Sequence, residues 1–147
     1  MTFENITAVV GIIGVFIAIY QLSQANKQLK STTLTNVLSL EAEMNNRKER
    51  LDSLNHDVEI ERLNADRELS PEYWNIYEKR INAAVDSWLD AVNRLCFCIK
   101  KGYLTEKEWK AEYRNLITGV VEDFEDKFGE ASEYTNIIDL NRKLRRE

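Results

Sequence analysis

Few residues in this chain have both the type and the spacing that chemistry requires. Arg50 and His56 come nearest. They stand in RLDSLNH, an arginine and the only histidine of the chain, with five residues between them. An imidazole moves a proton while a guanidinium stabilises the charge on a phosphorane, so the two types together suit attack at phosphorus. The plainer role of both, on a stretch dense in charges of either sign, is to face solvent. A lone histidine gives poor support for a zinc site or a histidine-based triad. Cys96 and Cys98 are two positions apart, which on a helix turns them to different sides, so they read as small core residues rather than joint ligands. Carboxylates are many, but the Glu-x-x-His pairing of a di-iron bundle is missing, and there is no glycine-rich phosphate loop. Neither a metal nor a cofactor is implied.

The element that must position everything else is apolar. Ile6 to Leu22, ITAVVGIIGVFIAIYQL, carries no charge. At 1.5 Å per helical residue, roughly 17 residues span about 25 Å, close to the bilayer core of about 30 Å. The segment before it, MTFEN, has Glu4 and no basic residue, and no small-residue cleavage site follows, so it does not read as a secretory signal. A buried core helix is disfavoured because no later segment is apolar enough to surround it. Lys27, Lys30, Arg47 and Lys48 follow the stretch. The positive-inside rule then places a short N-terminus outside and the larger C-terminal part in the cytoplasm, across a membrane in a single pass. Two cysteines without a disulfide framework suit a reducing compartment.

No proline or glycine interrupts Ser23 to Asn64. One helix is expected from about Glu4 to about Leu63, roughly 90 Å long, with Asn45-Asn46 and Ser31 to Asn36 as its weak points. A row of small or polar residues follows it: Thr7, Gly11, Gly14, Ala18, Gln21, Ala25, Gln28, Thr32, Thr35, Ser39, Ala42 and Asn46. Alternating steps of four and three keep them on one face with a repeat of seven. Small residues let membrane helices approach closely, so the row reads as a packing seam between copies or as the lining of a pore. The alternative is an ordinary membrane helix with a solvated continuation. A second face, Leu34, Val37, Leu38, Met44, Leu51, Leu54 and Val58, is the expected contact for the rest of the chain.

The remainder reads as helices. Ser70 is an N-cap, Pro71 fits the first helical position, and Lys100-Lys101-Gly102 closes the second helix. Its stripe is Trp74, Tyr77, Ile81, Ala84, Val85, Trp88, Leu89, Val92, Leu95, Cys96 and Ile99. Thr105 and Glu108 form a capping box for a third helix, whose stripe runs from Trp109 to Phe128 and which ends at Gly129. A last helix from about Ser132 buries Tyr134, Ile137, Ile138 and Leu144, and ends in the basic NRKLRRE. That tail complements a helix dipole and is suited to anionic lipid or a nucleotide, the plainer alternative being a solvated tail. The net charge of −5 argues against nucleic acid as the main partner. The expected architecture is all-α: residues 1–30 as transmembrane helix and juxtamembrane segment, and 31–147 as a cytosolic bundle of the long helix with three others.

Two resemblances attach to these residues. ITAVVGIIGVFIAIYQLSQANKQL together with LDAVNRLCFCIKKGYLTEKEW resembles a group of small bacterial single-pass membrane proteins, a domain family of unknown function. This likeness covers most of the chain and implies no activity. The layout is also similar to the membrane accessory proteins of CRISPR anti-phage systems, which join one membrane helix to a HEPN-like helical body and assemble into pores. The HEPN motif uses an Arg and a His on an RNA phosphodiester, usually across a dimer, here matched by Arg50 and His56, with Leu51 where a polar residue usually follows the arginine. The expectations are a homo-oligomer that forms or gates a pore in phage defence; a non-conducting anchor that recruits a cytosolic protein; or a tethered ribonuclease. The partners would be the bilayer, other copies of the chain, and a cytosolic protein or nucleotide signal.

Overall fold

The computed structural model describes residues 3–64 and 70–146, with side chains over 17–63 and 70–146. Among these are four α-helices, one 3-10 turn and no strand. α1 spans Phe3–Asn64, α2 Pro71–Lys100, α3 Glu106–Asp123 and α4 Thr135–Leu144, and the 3-10 turn is Glu125–Lys127. The chain divides into two compact units, Met1–Asn36 and Val37–Glu147. The division falls a few residues beyond the 30/31 boundary expected from the sequence, because Val37 is the first described side chain of α1 to be buried.

The first unit is helix. Ser31 to Asn36 are helical although they are poor helix formers, and three of their hydroxyls bond back to the helix. Thr32, Thr33 and Thr35 donate to the carbonyls of Gln28, Leu29 and Ser31 at 3.0, 2.9 and 3.0 Å. Among the described residues no helix is long and apolar enough to cross a membrane. Most of the anticipated span, residues 6–16 of Ile6 to Leu22, lies outside the described side chains.

In the second unit α1 continues without a break through Asn45 and Asn46. Val37, Met44 and Leu51 are buried at sevenfold spacing. Leu54 and Val58 are half-buried. Leu34 and Leu38, expected on the same face, are instead 56% and 54% exposed. Each helical residue advances about 100°, so Leu38 is carried off the face that its neighbour Val37 occupies.

α2 is set by its ends. The Ser70 side chain accepts from the Tyr73 amide at 3.3 Å, and Pro71 opens the helix. At the other end Gly102 takes φ +77°, its amide reaching the Ile99 carbonyl at 2.9 Å and that of Tyr103 the Cys98 carbonyl at 3.2 Å. This is the paired bonding of a Schellman cap, which needs a residue at ease in the left-handed region. The capping box of α3 forms as the sequence predicts: Thr105 N–H donates to Glu108 at 2.8 Å and Glu108 N–H to the Thr105 hydroxyl at 3.4 Å. The helix, however, ends at Asp123 rather than Gly129. The chain tightens into the 3-10 turn, which still brings Phe124 and Phe128 against the core. α4 begins at Thr135, later than Ser132, whose side chain accepts from the Tyr134 amide at 3.2 Å in the preceding turn. One free donor of its first turn, the Asn136 amide, is taken by Asn93 of α2 at 3.1 Å.

The core is built by Leu89, Val92, Leu95 and Cys96 of α2 with Ile117 of α3 and Ile137 of α4. α1 is joined to it by reach as well as burial. Arg47 donates to the Ser87 carbonyl at 2.6 Å, Tyr113 donates to Glu41, and the Lys48 ammonium stands 5.3 Å from the centre of the Trp88 ring.

Candidate functional site

Two places merit a functional reading, one in each unit. In the first, from residue 17 to 36, every side chain is exposed except Thr33, which is half-buried. These include Ile17, Ile19, Tyr20, Leu22, Leu29 and Leu34. Ile19, Leu22 and Leu34 alone are spread over about 120° of the helix, and Ile17 stands on another side again. The expected row is likewise open: Ala18, Gln21, Ala25, Gln28, Thr32 and Thr35 are all exposed. Ser39, in the second unit, is exposed too. Thr7, Gly11 and Gly14 belong to the row but lie outside the described side chains. Because Thr32 and Thr35 spend their protons on their own helix, the hydroxyl oxygens are left to face outward as acceptors.

In the second unit Arg50 and His56 do not form a joint site within one chain. Both are on α1 and exposed. Six positions on a helix separate them by about 9 Å along the axis and about 120° around it. Within one chain, therefore, imidazole and guanidinium do not converge. Arg50 instead faces a groove of about 530 Å³ between α1 and α2, lined by Arg47, Arg50, Leu54, Arg80, Ala83, Ala84 and Ser87. No carboxylate lines it. Arg47 is fixed on its wall: one guanidinium nitrogen binds Ser87, at 2.6 Å to the carbonyl and 3.2 Å to the hydroxyl, and the other binds Glu43. Arg80 lies 5.9 Å from the Tyr77 ring centre, one turn back on its own helix. The sequence reading missed Arg80 and Ser87; their signal was a basic side chain seven before a serine on a helix otherwise read for its apolar stripe.

No protein family, curated protein or solved structure matches the chain.

Two other grooves differ in charge. Beside α4, a groove of about 550 Å³ mixes Arg142, Arg145 and Arg146 with Glu122 and Glu125. The side chain of Asn141, 7% exposed, lines it with an oxygen that has no hydrogen-bond partner. The third is acidic: Asp86, Asp126 and Glu133 surround Lys127, which is bonded to Asp86 at 2.8 Å. Among the described residues no group of three or more His, Cys, Asp or Glu is placed to hold a metal.

The titratable groups away from the grooves are structural. Burial pushes the Cys96 thiol up to about 12, and Cys98 is raised for the same reason. Burial and the bond to Glu41 raise the Tyr113 phenol. Lys110 and Lys143 bracket Glu106 at 2.8 and 2.9 Å and lower its carboxyl to about 2. Lys100, 2.6 Å from Asp139, lowers that carboxyl as well and ties the end of α2 to α4.

Proposed function

We propose that this protein is anchored in a bacterial inner membrane by its N-terminal helix and assembles through that helix into a homo-oligomer that forms or gates a pore. The observation that carries the reading is the exposure of large apolar side chains on several sides of the helix from Ile17 to Leu34, with the small and polar row open beside them. Leaving such a surface in water forfeits about 25 cal/mol for each Å² that lipid or a neighbouring helix would cover. An isolated helix gains little from propensity alone. Lipid suits the bulky sides, and a second copy suits the row of Ala18, Gln21, Ala25 and Gln28, whose short or flexible side chains let backbones approach. Phage defence as the setting follows from the resemblance to CRISPR membrane accessory proteins and from nothing else.

The test is the mass of the full chain in mild detergent, with Ala18→Leu and Ala25→Leu as probes of the seam. A single discrete species of four or more copies, broken to smaller species by both substitutions, supports the reading. A monomer or dimer, or an oligomer indifferent to both substitutions, overturns it.

A further inference from the structure

The groove between α1 and α2 concentrates positive charge on a protein whose net charge is −5. Three of its seven lining residues are arginines, and the other four are Leu54, Ala83, Ala84 and Ser87. Arg47 is committed to Ser87 and Glu43, and its bonds hold the wall of the groove rather than offer a free fork. Arg50 of α1 and Arg80 of α2 have no ion pair among the described residues. They come from different helices, and Ala83 and Ala84 line the same groove with short side chains. Of the neighbouring acids, Glu43 binds Arg47 and Asp52 binds Lys48 at 2.5 Å, while Glu61, beside Tyr77, keeps a buried oxygen without a hydrogen-bond partner. Of the three, Arg50 and Arg80 have no ion-pair partner among the described residues, and a planar fork matches phosphate oxygens two at a time. The volume of about 530 Å³ falls within the range of small-molecule sites and is far below what a folded partner would need.

We propose that this groove binds the polyphosphate moiety of a small-molecule ligand, with Arg50 and Arg80 as the two arms that grip it and Arg47, held by Glu43 and Ser87, as the fixed wall. A nucleoside triphosphate and a free inorganic polyphosphate share the recognised chemistry. No aromatic side chain lines the groove to stack a base, so the phosphates carry the recognition. Arg50 has in this reading a binding role that does not involve His56.

The experiment is calorimetric titration of the full chain in detergent with tripolyphosphate, with ATP, and with a short single-stranded RNA. Tripolyphosphate is expected to bind at one site per chain and to raise the melting temperature. Arg50→Ala and Arg80→Ala should each weaken it about tenfold or more, the loss of one charge-assisted contact, while unliganded melting stays unchanged because both side chains are exposed. Equal affinity for ATP and tripolyphosphate supports free polyphosphate as the source, and tighter ATP binding supports a nucleotide. Arg145→Ala with Arg146→Ala serves as the control in the mixed-charge groove. No tripolyphosphate binding, loss of binding in that control but not in Arg50→Ala or Arg80→Ala, or binding of RNA alone overturns the proposal.

Discussion

Leu51→Ala distinguishes between the two apolar faces that α1 offers the second unit. Leu51 is 2% exposed, whereas Leu38, a comparably sized side chain on the same helix, is 54% exposed. Truncation to alanine removes three carbons, worth about 2.4 kcal/mol at about 0.8 kcal/mol each. The void adds to this, because α1 is held in place by Val37, Met44, Arg47 and Tyr113 and cannot collapse fully into it. A loss of about 3–4 kcal/mol results, inside the range of about 2.7–5 found for buried leucines. For a unit of this size that is a fall in melting temperature of about 10–20 °C. Leu38→Ala should cost about 0.5 kcal/mol or less. All three tryptophans lie in the second unit, and Trp88 and Trp109 are buried. Circular dichroism of the full chain in the tryptophan bands, at the long-wavelength edge of the near ultraviolet, therefore reports this unit and not the N-terminal helix. A larger shift for Leu38→Ala than for Leu51→Ala, or a loss under about 1 kcal/mol for the latter, would refute the docking face.

Two further outcomes follow from the titratable groups. A thiol reagent at neutral pH should label Cys98 slowly and leave Cys96 untouched until the bundle unfolds, since burial holds the Cys96 thiol near 12; labelling of both at equal rates in the native protein would contradict the packing of α2. Glu106 should titrate at about 2 rather than at its ordinary 4.5, because Lys110 and Lys143 favour the carboxylate. A folded value below the unfolded one makes its contribution complete above about pH 4.5 and lost as pH falls through about 2. Carboxyl NMR should show that midpoint move upward in Lys143→Ala; an unchanged midpoint would remove Lys143 from the network.

The local signals in the sequence carried most of the fold because they are chemical. Ser70 with Pro71, Thr105 with Glu108, and Gly102 each satisfy orphan backbone groups in only one way, and the structure has each cap where the sequence put it. Periodicity was weaker where helical and turn geometries share a spacing. Phe124 and Phe128 are four apart and both reach the core, yet a 3-10 turn lies between them, so apolar spacing alone extended α3 too far. The burial of Leu140 and Asn141 escaped notice because α4 is short and Asn141 is polar. The groove was legible only in part. The sequence pairs Arg50 with a histidine six positions away on the same helix, while Arg80, from another helix, is an arginine it shares a groove with. Proximity between helices has no trace in the spacing within one of them.

In the second unit α1 shows how one helix can serve a bundle and still offer a seam. Val37, Met44 and Leu51 repeat every seven residues and are buried. Ser39, Ala42 and Asn46 continue the small and polar row and are exposed. At about 100° per residue the two sets lie roughly opposite one another around the helix. Because both rows keep the same sevenfold step, neither drifts into the other over these turns. Docking the bundle therefore uses up the face that the row does not occupy. A heptad step on the buried face alone would follow from packing against α2 and α3. The exposed face of this unit is thereby left open to a second helix packed along the outside, the contact that the proposed assembly needs.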